Sequence, residues 1–391
     1  MKIKPAERTN SIQEYYFSTK LKEIASMRSN GIDVINLGIG NPDQSPSEET
    51  IMKLIETVIN PQNHGYQSYT GIPELREAFA DWYKTYFNVA LNPKNEILPL
   101  IGSKEGIMHI SMAFVNPGDE VLIPNPGYPT YQSVSNLVGA KIRYYNLQSE
   151  NNWLPDLQHL EKENLENVKL MWVNYPNMPT GARATKKLFK ELVAFGKKHH
   201  ILIVNDNPYS FILNNEQLSI LETEGAMDIA LEINSLSKSQ NMAGWRIGMV
   251  AGNADYINNI LKVKSNMDSG MFFPLQMAAV EALRNPPEWY AEINKKYAKR
   301  RSIVFELLDS LHCNYETDQS GMFVWSKIPD DFENSEQFSD YVLKERHVFL
   351  TPGIIFGSQG QNYFRISLCT DEIKLMECKQ RIGNLLERKI A

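Results

Sequence analysis

Residues 234–252, NSLSKSQNMAGWRIGMVAG, set Lys238 between two small hydroxyl residues, with Ser235 three positions before it and Arg246 eight after. A lysine amine held near a carbonyl can form a Schiff base, and hydroxyl and guanidinium donors that converge can bind a phosphate dianion. This loop offers all three. A lone lysine in a serine-rich loop reads as a solvated turn, and it is the spacing of these residues that shifts the reading towards chemistry.

Other side chains able to do chemistry follow the ends of β-rich runs. Tyr128 comes after EVLIP, Asn177 after KLMWVN, Asp206 and Tyr209 after ILIVN, and Lys238 after IALEIN. Helical stretches separate these runs, one near Thr130, one near Leu157 and one over residues 184–199. Such alternation predicts right-handed βαβ units and a mainly parallel sheet, whose carboxyl edge is where ligands bind.

Upstream, residues 11–30 predict a helix stopped by Gly31, and residues 33–38 a strand entering the loop GIGNPD. Gly40 in that loop either serves a turn or lets backbone approach a ligand. Ser45 and Glu48 form a capping box with Pro46 in the first helical position, so a helix starts there. The loop HGYQSYTG brings Tyr66 and Tyr69 ahead of a helix opened by Pro73. Residues 96–102 read as a buried strand, followed by Ser103-Lys104 and the apolar helix IMHISMAFV. A strand, a Gly-Ser turn and a helix start point free N–H groups at one spot and suit an anion. Beyond Pro286-Pro287 the character changes to a long charged helix, residues 288–311, then short strands and a last helix.

With 391 residues, the chain can bury one large α/β domain and a smaller one. Its net charge of −6 and pI near 5.8 argue against a dedicated nucleic-acid or polybasic membrane binder. Cys313, Cys369 and Cys378 are odd in number and lack metal-ligand spacing, which fits a reducing compartment. Seven histidines form no ligand motif, and no metal is expected. No apolar run reaches the ~18 residues of a membrane span, and the N-terminus lacks a signal-peptide core. A cytoplasmic protein is expected.

Taken together these residues resemble the fold type I pyridoxal 5′-phosphate enzymes, specifically the class I/II aminotransferases, over about residues 33–368. LIGSKEGI, FVNPGDEVLIPNPGYPTY and SxSK with GWRIG look most like the aspartate and LL-diaminopimelate aminotransferase branch. The resemblance implies a large domain, residues 45–285, with a mainly parallel seven-stranded sheet between helices. A smaller α+β domain, residues 286–391, would be joined by residues 1–44. It implies a homodimer with active sites at the subunit interface, an L-amino acid donor, 2-oxoglutarate as acceptor and ping-pong kinetics.

Position by position, the resemblance assigns Lys238 to the Schiff base and the proton shuttle. Ser235, Arg246 and the turn Gly102-Ser103-Lys104 would hold the phosphate, with Tyr66 reaching the phosphate of the neighbouring subunit. Tyr128 would stack on the pyridine ring, Asp206 would pair with its nitrogen, and Tyr209 would donate to the phenolic oxygen. Arg365 in NYFRISL would clamp the substrate α-carboxylate as a planar fork, beside the Gly40 backbone. Tyr15, Tyr16 and Phe17 could add substrate contacts.

One position departs from the family. Its usual Asn-Pro-Thr-Gly reads here Asn177-Met178-Pro179-Thr180-Gly181, and methionine cannot donate to the phenolic oxygen. Tyr209 would serve that oxygen alone, or Asn177 would substitute; loss of one ~1.5 kcal/mol hydrogen bond would raise the Schiff-base pKa by about one unit.

Singly, Arg365 reads as a surface arginine, Asp206 as a turn cap and Tyr128 as a packed loop aromatic; with Lys238 and the ordered set around it, the functional readings prevail. A carbon–sulfur lyase on the same scaffold shares these motifs. A cofactor-keeping regulatory protein would want a DNA-binding extension, and a nicotinamide dehydrogenase a G-x-G-x-x-G after a strand; neither is present. Side-chain selectivity would depend on loops such as 66–70 and 269–273. The second carries no arginine for a distal carboxylate, leaving sulfur-containing, aromatic and diamino acid donors as open as aspartate.

Overall fold

The structure is a computed structural model in which residues 3–9 and 16–383 are described, the Phe17 side chain excepted. Helix α1 (Tyr16–Ser29) ends before Gly31, whose φ of 83° lies in the left-handed region that glycine enters without strain. A two-residue strand β1 (Ile35–Asn36) follows. Helix α2 (Glu48–Val58) is capped by Ser47, not Ser45, its hydroxyl accepting from the Thr50 N–H. Pro46 therefore precedes the helix instead of starting it. Helix α3 (Pro73–Phe87) opens on its proline as expected.

From here strands and helices alternate. In chain order they are β2 (Ile97–Leu100), α4 (Ser103–Phe114), β3 (Glu120–Asn125), α5 (Pro129–Leu137), β4 (Lys141–Asn146), α6 (Leu157–Leu160), β5 (Val168–Val173) and α7 (Lys186–His199). The run closes with β6 (Leu202–Asp206), β7 (Ala230–Ser235), α8 (Leu236–Ser239) and β8 (Gly248–Gly252). The seven strands order as β2, β8, β7, β6, β5, β3, β4. Only β8 runs against its neighbours.

Strand β5 shows why the sequence folds this way. Its side chains alternate, with Leu170 and Trp172 entering one apolar cluster and Met171 and Val173 the other. A strand covered on both faces needs a continuous apolar run, and KLMWV supplies it.

Helices α9 (Ala254–Lys264) and α10 (Phe273–Leu283) lead to α11 (Pro287–Ser310). Next come β9 (Phe323–Lys327), α12 (Ser335–Arg346), β10 (Val348–Phe349), β11 (Thr351–Pro352), β12 (Tyr363–Ser367) and α13 (Glu372–Ile382). Strands β11, β12 and β9 form an antiparallel sheet, and β10 pairs with β1. Ile24 of α1 packs with Leu343 and Phe349, so the N-terminal segment folds onto these late elements. Among the described residues no helix is long and apolar enough to cross a membrane.

One buried arginine ties these parts together. Arg300 of α11 donates from Nη1 and Nη2 to the two Asp43 oxygens, each at 2.8 Å, from Nε to Glu372 at 2.9 Å, and from Nη1 to the Leu368 carbonyl at 3.1 Å. A planar fork on a carboxylate fixes orientation as well as distance. Arg300→Met leaves two partly buried carboxylates without their cation and is expected to remove about 2–4 kcal/mol of stability. Denaturant unfolding at pH 7 checks this, and a loss under about 0.5 kcal/mol would contradict it.

Candidate active site

Strand polarity decides which side chains meet. Asp206 ends β6, Ser235 ends β7, Lys238 lies within α8, and Asn174 follows β5. Because β8 is antiparallel, its first residue, Gly248, pairs with Ser235, which brings the preceding Arg246 to the same edge. Strand β2 delivers the Gly102-Ser103 turn, and β12 brings Arg365 from the smaller sheet. Together they enclose a cavity of about 550 Å³.

Lys238, Asp206, Tyr128 and Tyr209 line this cavity, as do Gly40 and Arg365. Ser103, Lys104, Ser235 and Arg246 line it too. Gly102 acts from behind. Its φ is 79°, and a Cβ there would lie 2.2 Å from Arg246 Nη2, so only glycine lets the guanidinium lie across the turn. Gly40 is required by packing: a Cβ would lie 2.2 Å from the Phe323 ring.

Lys238 Nζ donates to the Gly40 carbonyl at 2.7 Å. Burial lowers its pKa, Cys369 opposes that shift, and the nearby Arg365 and Arg246 cations reinforce it, which favours the neutral amine a nucleophile needs. Asp206 is buried, and burial pushes its carboxyl up to about 6. Its Oδ2 accepts from Tyr131 at 2.8 Å, whereas its Oδ1 has no partner among the described residues. Tyr131 stacks on Trp172 with centroids 5.0 Å apart, so the carboxylate's donor is held by a rigid aromatic pair. Burial also raises the hydroxyl pKa of Tyr128 and of Tyr209, keeping both as protonated donors.

Arg365 lies between two rings, 3.8 Å from the Phe323 centroid and 4.7 Å from that of Phe356. Its Nη2 donates to the Gly38 carbonyl at 2.7 Å and its Nη1 to Met178 Sδ at 3.1 Å. The substituted methionine thus faces the arginine fork. Cation–π contact with two rings restrains the guanidinium.

Asn177 is not brought to the cavity. Its amide donates to the Asn174 carbonyl at 3.2 Å, and its Oδ1 accepts from the Thr180 hydroxyl at 2.7 Å, so it closes the turn instead. Asn174 lines the cavity; its Nδ2 donates to the Asp206 carbonyl at 2.5 Å and its Oδ1 accepts from the Met178 N–H at 2.8 Å. Of the two asparagines, the one directly after the strand, Asn174, lines the cavity, and Asn177, expected from the sequence, does not. Tyr131, Phe323, Phe356 and Ser237 were also not expected, the last signalled only by its place in SxSK.

Tyr66 is 93% exposed and lies away from this cavity, beside Phe272 in a separate groove. Of the three N-terminal aromatics, Tyr15 lies outside the described residues and Tyr16 does not line the cavity; α1 contributes Ser18 and Leu21. Glu105, His109 and Asp268 converge with ligand atoms within 4.8 Å, a grouping the sequence did not suggest. Lys264 Nζ already donates to both Asp268 oxygens, at 2.6 and 2.7 Å, and supplies the compensating charge there.

The fit to a prosthetic group rests on two features: a buried carboxylate oxygen awaiting a donor, and a guanidinium that a glycine admits to a helix start. A phosphorylated pyridine aldehyde satisfies both, and with this sheet order the protein falls in the fold type I class of pyridoxal 5′-phosphate enzymes. Residues 32–382 match the family described as aminotransferase class I and II, and the chain belongs to that family.

It is 42% identical over 386 residues to LL-diaminopimelate aminotransferase of Maridesulfovibrio salexigens, covering 98% of this chain and 99% of the relative. The corresponding enzyme of Nitratidesulfovibrio vulgaris is 40% identical over the same shares of both chains. BacF from Bacillus subtilis superposes with a TM-score of 0.95 at 37% identity over 98% of each chain. An aminotransferase from Staphylococcus aureus gives 0.90 at 31%, over 98% of this chain and 99% of that one. The protein is a pyridoxal 5′-phosphate-dependent aminotransferase, and the comparisons favour transamination over the carbon–sulfur lyase alternative.

Proposed function

We propose that the residues around the cavity move the α-amino group of an L-amino acid to 2-oxoglutarate in two alternating half-reactions. The observation that carries this is the Lys238 amine, set within one cavity with the unpartnered Asp206 oxygen and the Arg365 fork. When bound, pyridoxal phosphate supplies an aldehyde for the amine and a ring that accepts electrons from Cα. Lys238 would hold it covalently and would serve as the group that moves the proton at the substrate Cα. Asp206, whose Oδ1 is left without a partner among the described residues, would accept from the ring nitrogen and keep it protonated.

Ser103, Lys104, Ser235, Arg246 and the Gly102 backbone would hold the phosphate, and Tyr128 would stack on the ring. Tyr209 donates to the phenolic oxygen. Arg365 binds the α-carboxylate beside Gly40. Asn177 supports the turn only, and Asn174 takes its place at the cavity wall.

We also propose residues 45–285 as the cofactor domain and 286–391 as the smaller one, joined by residues 1–44; the β1–β10 pairing supports this. A cytoplasmic homodimer is the proposed assembly, with Tyr66 reaching the partner's phosphate site. Exposed Met52, Ile55, Ile59, Tyr66, Tyr69 and Phe272 support an interface on that side.

Arg365→Lys tests the carboxylate assignment. Lysine cannot make the bidentate contact between the two rings, so kcat/KM for any amino acid should fall about 10²- to 10³-fold. Cofactor absorbance should stay unchanged, because the substitution lies off the ring. Stopped-flow half-reactions check both, and a fall under about threefold would reject this role.

A further inference from the structure

Beyond the α-carboxylate, the described lining residues offer little that could recognise a further charge. The cavity's remaining side chains are mostly apolar, Leu21, Ile39, Met178, Pro208, Ala243, Phe323 and Phe356, with Ser18, Asn174 and Ser237 as uncharged polar members. Asp206 is the only carboxylate among the described lining residues, and its position at the end of β6 commits it to the ring nitrogen. Of the four lining cations, Lys238 and Arg365 have roles already, and Arg246 and Lys104 belong with the anion turn. The groove at Tyr66, which a partner subunit would present, is lined by residues 64–67 and 269–272 and adds no Asp, Glu, Lys or Arg.

We propose that the amino donor is an L-amino acid with a large apolar side chain. This rests on the aminotransferase reading and deepens it. An aromatic or branched side chain would bury itself against Leu21, Ile39 and Phe356, whereas a second ammonium or carboxylate would enter the same space without a counter-charge. Burying such a charge without a partner costs several kcal/mol, more than the loss of one methylene contact. The substrate named for the curated relatives, LL-diaminopimelate, carries both charges at its far end and is therefore disfavoured here.

The cofactor-loaded enzyme should be assayed in single half-reactions with L-phenylalanine, L-leucine and L-methionine against L-aspartate and LL-diaminopimelate. The best apolar donor should exceed both charged donors by at least about tenfold in kcat/KM. Equal or better use of either charged donor overturns the proposal. Calorimetry of the same protein with hydrocinnamate and with pimelate reads binding without turnover, and hydrocinnamate should bind at least about tenfold more tightly. If no amino acid reacts, the aminotransferase reading fails, and the calorimetric ratio still decides the apolar wall.

Two variants localise the effect. Leu21→Arg on α1 should shift the preference about tenfold towards the dicarboxylate, and an unchanged ratio would remove Leu21 from the side-chain wall, against the proposal. Lys104→Met should weaken all donors alike. A selective loss for LL-diaminopimelate would instead make Lys104 a reader of the distal carboxylate and overturn the inference.

Discussion

Lys238→Ala should lower kcat by at least about 10⁴-fold while leaving a folded protein that still binds the cofactor. Two contributions vanish together. The base at the reacting carbon is itself worth about 10²–10⁴-fold, and the fixed position of the amine removes an entropic barrier of comparable size. Lys238 is placed for both, its Nζ 2.7 Å from the Gly40 carbonyl and its pKa lowered chiefly by burial. Borohydride treatment should add the cofactor's mass to the Lys238 peptide of the wild type and to no peptide of the variant. Turnover within about tenfold of wild type would remove this lysine from the chemistry.

Asp206→Asn should cost about 10³-fold in activity and yet stabilise the cofactor-free protein above neutral pH. The activity loss follows from removing a buried anion opposite the ring nitrogen, worth about 3–5 kcal/mol. The gain in stability follows from linkage. Burial raises the carboxyl from 3.8 to about 6, so the folded state holds its proton more tightly than the unfolded chain. Stability from this group is therefore present below about pH 4 and lost as pH rises towards 6. About two pH units at roughly 1.4 kcal/mol each set an upper bound near 3 kcal/mol. Unfolding midpoints at pH 4 and pH 8 should converge for the two proteins at the lower pH and separate at the higher. Saturating wild type with cofactor should close that gap. A variant less stable than wild type at pH 8 without cofactor would contradict the argument.

The fold was legible wherever one strand carried its own pattern. KLMWV and ILIV are nearly continuous apolar runs, IALEIN is apolar apart from the buried Glu232 and Asn234, and all three became central strands. Site residues at strand ends were equally legible, because the chain direction fixes which edge they reach; Asp206 and Ser235 are examples. What stayed hidden depended on turn closure or on contacts between distant segments. Asn174 and Asn177 are three residues apart, and the turn's own hydrogen bonds, among them those of Asn177 to Thr180 and of Asn174 to Asp206 and Met178, decide which one faces the cavity. The need for glycine at position 40 comes from a ring 283 residues later, Phe323, and no local rule relates the two. Tyr131 sits on α5 and reaches Asp206 across the sheet edge, a contact set by helix placement and not by spacing.

The two rings around Arg365 have a kinetic meaning. A guanidinium held between Phe323 and Phe356, and tethered to the Gly38 carbonyl, has little room to retreat. With Arg365 in its proposed role, amino donor and oxo acceptor would dock their shared carboxylate at one restrained anchor and differ only in what lies beyond it. Small monocarboxylates should consequently compete with both reactants, and excess of either reactant should trap the form of the enzyme intended for the other.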